Sequence, residues 1–322
     1  MAKQKNDVEK TPEQLTQEQL IADNEYVIKN KRVRRQARRR AVVIILLVFL
    51  LIIALLAGVT YAIMRFVDNN NFRVTVTQTG TSWLSLSKDF EFTNPTSVLD
   101  VSAPKNMDNC SICNYLDGKL KDIYDSNGAY QGEGTKDYFI ATSFYLKNSG
   151  IDPIGYREMI SIERAMRNMD KAIRVLVIKD EDPTDDKYGT ITVYAAAQCD
   201  AKGKTLTDEV GNSIPEEVVP GVAYNPRSNS LSELYKDYEF AEGTLTEDGT
   251  WLTVPFAGSG YVLNSELFPL NPGEVIKYSI VIWLEGEDPQ CVGDSSSTVD
   301  SERGILGGQV KLAVEFVTQN TK

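Results

Sequence analysis

Gln309–Val317, QVKLAVEFV, alternates strictly: Val310, Leu312, Val314 and Phe316 fall on one face, Lys311 and Glu315 on the other. Successive side chains of extended backbone point to opposite sides, so this period of two marks a half-buried β-strand. Arg73–Thr77 (RVTVT) repeats the pattern near the other end of the chain. Between them, Ala172–Ile178 (AIRVLVI) and Tyr278–Leu284 are nearly continuous apolar runs, the signature of strands buried on both faces. Tyr138–Leu146 reads as a long aromatic-rich strand closed by the turn Lys147-Asn148-Ser149-Gly150, and Tyr156–Arg167 as a strand followed by a short helix or turn. Trp83–Leu86 and Phe90–Thr93 read as short strands, and Thr190–Ala196 as the hairpin partner of Ala172–Ile178 across the loop Lys179–Gly189. Thr250–Phe256 alternates with Leu252, Val254 and Phe256 on one face, while residues 200–232 read as a long loop or surface insertion. On the order of ten strands and few helices predict an all-β antiparallel sandwich, jelly-roll-like, spanning residues 73–322.

Ahead of that region lies Ala41–Met64, AVVIILLVFLLIIALLAGVTYAIM, apolar throughout and free of charge. A helix of that length covers the roughly 30 Å hydrocarbon core of a bilayer. Lys29, Lys31, Arg32, Arg34, Arg35, Arg38, Arg39 and Arg40 precede it, whereas only Arg65 and Asp68 follow closely. Basic residues resist translocation, so the asymmetry predicts a single-pass protein with its N-terminus in the cytoplasm and its β domain outside the plasma membrane. The expected organisation is a cytoplasmic tail over 1–40, a transmembrane helix over 41–64, a spacer over 65–72 and an extracellular β domain beyond. Thr11-Pro12-Glu13-Gln14 carries helix-start signals in the tail, and the basic cluster suits anionic lipid at the cytoplasmic face.

The formal net charge of −11 conceals a split. Residues 1–66 hold 12 basic and 6 acidic side chains, leaving 22 basic and 39 acidic in the remainder, a net of −17. So acidic an exterior repels nucleic acid and suits cations or basic partners. The chain contains no histidine. That removes the Ser-His-Asp and Cys-His nucleophile systems and the H-E-x-x-H zinc site, and no cofactor is expected apart from Ca²⁺. Ser259 in Gly258-Ser259-Gly260 has no histidine base to activate it. The four cysteines, Cys110, Cys113, Cys199 and Cys291, all follow the apolar run. In an oxidising compartment they are candidates for structural disulfides, in any of three pairings; Cys110 and Cys113 also form a C-x-x-C pair that zinc or redox chemistry could use.

Asp180-Glu181-Asp182-Pro183-Thr184-Asp185-Asp186 packs five carboxylates between two strands. Ca²⁺ takes six to eight oxygen ligands, so Asp180, Glu181, Asp182, Asp185 and Asp186 are candidate calcium ligands, with a solvated hairpin tip as the alternative. Glu285, Glu287, Asp288, Asp294 and Asp300 form a second acidic set around Cys291. Two acids at the right separation would suffice for glycoside hydrolysis, but with 39 acids outside the pattern selects none.

Several stretches resemble a family. Gly58-Val59-Thr60-Tyr61-Ala62 is similar to the leader of Gram-positive surface proteins processed by a SipW-type signal peptidase. Lys171-Ala172-Ile173-Arg174-Val175, and the terminal block from Trp283-Leu284-Glu285-Gly286-Glu287-Asp288-Pro289-Gln290-Cys291 to Gly307-Gly308-Gln309-Val310-Lys311-Leu312, resemble exported relatives of TasA and camelysin. The resemblance implies a jelly-roll ectodomain at the cell surface and, in some members, assembly into biofilm fibres. It also implies cleavage after Ala62, although the 40 residues before the apolar run favour a retained anchor. Camelysin is classed as a metalloprotease, an activity for which a chain without histidine has no ordinary zinc site. The sequence thus leads to a membrane-anchored, non-catalytic surface protein for binding or surface assembly. A cleaved and released fibre-like subunit is the alternative, and a carboxylate-based surface glycan hydrolase comes third.

Overall fold

The computed structural model describes residues 25, 26, 29, 31, 42–51, 71–78, 83–103, 106–135, 137–200, 204–289, 291 and 308–319. The chain divides into two compact units, Met1–Asn69 and Asn70–Lys322. In the first, residues 42–51 are helical, and so are residues 25, 26, 29 and 31. Among the described residues no helix is long and apolar enough to cross a membrane. The rest of Ala41–Met64, the basic residues Arg32–Arg40 and the cleavage position after Ala62 lie outside the described residues.

Among the described residues of the second unit, fourteen strands form two sheets. Sheet A runs β11 (Tyr261–Asn264), β6 (Ile154–Met166), β14 (Gln309–Gln319), β1 (Asn71–Thr77) and β3 (Val98–Ser102), with β12 (Phe268–Leu270) also on β6. Sheet B runs β10 (Val254–Pro255), β8 (Thr190–Ala195), β7 (Ile173–Asp180), β13 (Val275–Leu284), β5 (Phe139–Asn148) and β2 (Leu84–Ser87), with β4 (Gly128–Ala129) on β5 and β9 (Glu239–Phe240) on β8. The sheets are mixed, which corrects the purely antiparallel expectation. β1 and β14 enter side by side from the same end and pair in parallel, and β8 pairs in parallel with both β9 and β10.

The inner faces meet in one apolar core. Val74, Leu312, Val314 and Phe316 of sheet A pack with Leu86, Phe144, Val175, Ile280 and Ile282 of sheet B. The expected alternation of β14 holds, with Leu312, Val314 and Phe316 buried. A second core covers the outer face of sheet B. There Phe139, Leu176, Ile178, Val281 and Trp283 meet Ile112, Leu116 and Ile123 of a helical stretch, Val218 and Tyr224 of the long loop, Tyr235 of the helical turn Ser232–Tyr235, and Trp251 just before β10. Two apolar neighbours are the physical reason that β7 and β13 lack alternation.

Other expectations shift. Phe90–Thr93 is a turn, not a strand: Asp89 accepts hydrogen bonds from the Thr93 amide and hydroxyl, and Phe92 adopts φ 52°. Thr250–Phe256 turns its other face inward, burying Trp251 and Thr253, and only Val254–Pro255 is strand. The loop-like stretch around the C-x-x-C pair continues into helical turns from Ile112 to Tyr124.

Candidate functional site

β1 starts at one end of the sandwich. At that entry end, β7 begins and β13 finishes, because Leu284 pairs with Ile173. The chain leaving β13 meets Cys110. The Cys110 amide donates to the Leu284 carbonyl and its own carbonyl accepts the Gly286 amide, both at 2.9 Å. Two turns follow: the Asp288 amide donates to the Glu285 carbonyl at 3.1 Å, and the Cys291 amide to the Asp288 carbonyl at 2.8 Å. Three of the four cysteines thereby gather at one place, while Cys199 sits in the loop after β8 with its thiol on the Ala197 carbonyl.

This site is built on buried charge. Arg174 is fully enclosed, and its guanidinium donates to Asp288 Oδ2 at 3.0 Å. Arg174 Nε is buried without a hydrogen-bond partner among the described residues. An ion pair removed from water recovers its desolvation cost only through close contact, so each partner depends on the other. Glu285 is also fully enclosed and accepts the Trp283 indole N–H at 2.9 Å. Burial raises its carboxyl above the ordinary value, against the lowering effect of donors from Trp283 and Ser111. Burial raises Glu216 too, and the Arg174 charge opposes that shift.

The thiols are held in their protonated form. Burial, with Glu285, Asp108 and Cys291 adding to it, pushes Cys110 up to about 12. Burial and then Asp288 push Cys291 up to about 12, and burial raises Cys113. The thiolate is the species that attacks disulfides and binds metals, so this environment suits structural thiols rather than a fast redox pair. Beside Cys110 lies an open pocket of about 280 Å³, walled in part by Asn109, Asn114, Tyr115, Tyr138 and Glu287.

Beyond Cys113, the helical turn carries Asp117 into the second core. Asp117 Oδ1 accepts both the Tyr224 and Tyr235 hydroxyls, which lie 2.9 Å apart, while Asp117 Oδ2 is buried without a partner among the described residues. Burial raises Asp117, and the two phenols work in the opposite direction. The Tyr238 hydroxyl and the Trp251 indole N–H are likewise buried in this core with no partner among the described residues.

The acidic loop is spread out. Asp180 is buried and accepts the Tyr124 hydroxyl and the Asp182 amide. Asp182 accepts the Thr184 amide, Asp185 accepts the Lys187 amide, and Glu181 pairs with Lys179. The side chains serve local turns, and among the described residues no group of three His, Cys, Asp or Glu is placed to hold a metal ion. In the second acidic set Glu285 and Asp288 converge at the entry end, and Asp294 and Asp300 lie outside the described residues. All four cysteines are free thiols in this structure.

Sequence reasoning missed Arg174, Asp117, Tyr224 and Tyr235 as polar centres. Arg174 had a signal: it is the single charge inside AIRVLVI, and a charge within a doubly buried strand requires a buried partner. The Asp117 cluster had none, because Asp117 lies 107 and 118 residues from the two tyrosines it meets.

No family model matches the chain, and no curated protein matches it. A solved structure described as "AvmM Catalyzes Macrocyclization in Alchivemycin A Biosynthesis" matches over 76% of this chain and 93% of that one, at 9% identity and a TM-score of 0.21, too slight a likeness to bear on fold or function.

Proposed function

We propose that this is a single-pass, cytoplasmic-N-terminus surface protein of a Gram-positive bacterium, whose β-sandwich, jelly-roll-like in kind, is a non-catalytic module for binding or surface assembly. The basic-then-apolar stretch from Lys29 to Met64 supports the anchor. The observation that carries the binding role is the far end of the sandwich, opposite the residue at which the chain enters. There Trp83 is 64% exposed beside the loop carrying Ile151, which is 91% exposed. That loop is rigidly held. The Ser149 amide donates to the Trp83 carbonyl at 2.7 Å, the buried Asn148 amide group donates to the Asp152 and Leu270 carbonyls, and Asn148 Oδ1 accepts the Gly150 amide. A loop whose backbone is already tied in place loses little backbone entropy on contact, as a docking anchor requires.

A membrane-impermeant amine reagent applied to intact cells tests the topology. Labelling of Lys88, Lys187 and Lys236 but not Lys29 or Lys31 is expected; labelling of both sets, or of neither, contradicts it. Sedimentation of the full chain in detergent separates assembly from binding. Oligomers that dissociate in the Trp83→Ser/Ile151→Ser variant support assembly through this end, and unchanged oligomers place assembly elsewhere.

A further inference from the structure

The three thiols at the entry end differ in direction. Cys110 Sγ points to the Tyr138 carbonyl, 3.7 Å away. Cys113 Sγ lies 3.0 Å from Ser111 Oγ, and Asp117 is among the charges that act on it but not among those that act on Cys110 or Cys291. Cys291 is brought towards Cys110 by the backbone: the Cys110–Glu285 bridge is followed by the two turns that end on the Cys291 amide. The Arg174–Asp288 pair fixes the second of those turns from within the sheet. Cys291 is among the charges that burden the Cys110 thiolate, whereas Cys113, only three residues from Cys110, is not.

We propose that Cys110 and Cys291 are the pair that forms a disulfide once the β unit is outside the membrane, leaving Cys113 and Cys199 as thiols. The proposal deepens the surface-protein reading and rests on it for the oxidising surroundings. The bond forms by exchange with a small-molecule or protein disulfide. Each cysteine loses a proton, one thiolate attacks the oxidant to give a mixed disulfide, and the second displaces it. The two sulfurs surrender two electrons and the oxidant's S–S bond becomes two thiols, so atoms and electrons balance. Burial keeps both thiols protonated, so exchange in the folded chain is slow and alkaline pH accelerates it. Once formed, the link ties the start of the Ile112–Tyr124 helical stretch to the turns after β13, closing a loop of most of the β unit.

The test is differential alkylation and peptide mapping of the full purified chain in detergent, after oxidised glutathione at pH 9. A Cys110–Cys291 linked peptide is expected, with Cys113 and Cys199 recovered alkylated. A Cys110–Cys113 peptide, any peptide linked through Cys199, or absence of a Cys110–Cys291 link overturns the pairing. A second measurement reads the same bond through stability. The oxidant should raise the thermal midpoint of the wild-type and Cys199→Ser chains but not of Cys291→Ser; equal rises in all three overturn the proposal. Because these experiments use purified protein, their failure is distinct from failure of the surface topology, which the labelling of intact cells reads separately.

Discussion

Sheet A and sheet B differ in how many faces they hide, and that difference organises the molecule. Sheet A buries one face. β3 alternates exposed and buried along Val98–Ser102, and β14 buries every second residue from Leu312 to Thr318. Sheet B is covered twice, by sheet A within and by the helical stretch and long loop without, so that nine consecutive residues of β13 from Ile276 are buried. The second cover is where polar chemistry enters. Arg174, Glu285, Asp288 and Asp117 are all placed by sheet B or by what covers it, and the thiols gather at its edge. Sheet A has a polar contact of its own between the sheets, where Glu158 accepts the Tyr278 hydroxyl at 2.6 Å and pairs with Lys179 at 3.0 Å. A sheet covered twice can carry buried charge because its partners close over it from both sides.

Removing the outer cover should break the comparison most severely. Trp251 is almost wholly buried and packs edge-on against Tyr235 and Phe240. Trp251→Ala should cost about 3–5 kcal/mol in urea unfolding. A loss under about 1 kcal/mol would mean that the segment carrying Trp251 is not a structural cover. Asp288→Ala strands the Arg174 guanidinium and should cost a similar 3–5 kcal/mol, whereas replacing both residues together by apolar ones of similar size should restore most of it.

A smaller effect sharpens the comparison through pH. Burial raises the Asp117 carboxyl, so the folded state binds its proton more tightly than the unfolded state does. The protonated form therefore favours folding, and this contribution is lost as pH rises from the ordinary carboxylate range through the raised value. Asp117→Asn has no such proton to lose. Its stability relative to wild type should improve as pH is raised across that interval, and a difference constant with pH would show that Asp117 titrates normally. Smallest of all is the solvated face of sheet A. Arg73 and Asp100 pair at 2.8 Å with about half of each side chain exposed, so Arg73→Ala should change stability by less than about 1 kcal/mol.

The same contrast explains what was legible in the sequence. β1, β5, β6, β7, β8, β13 and β14 are readable because alternation or a long apolar run marks each one. The edge strands β3, β11 and β12 are three to five residues long, too short for a period to emerge, and were missed. In Thr250–Phe256 the period was right but the phase was wrong, because the neighbour that buries Trp251 comes from the outer cover. The parallel pairing of β1 with β14 depends on where two ends of the chain meet, which no local pattern records. The entry-end site was half legible: the cysteines and the 285–288 acids stand out as residue types, but their convergence on Arg174 requires the register of β7 against β13.

The central claim is a β unit held at the cell surface by a retained anchor, and the N-terminal sequence of the mature protein, taken from washed cells and from the medium, tests it most directly. The account predicts a chain that begins near Met1 and sediments with the membrane. A chain that begins at or near Ile63 and is recovered from the medium would contradict it, and would make the protein a released subunit instead.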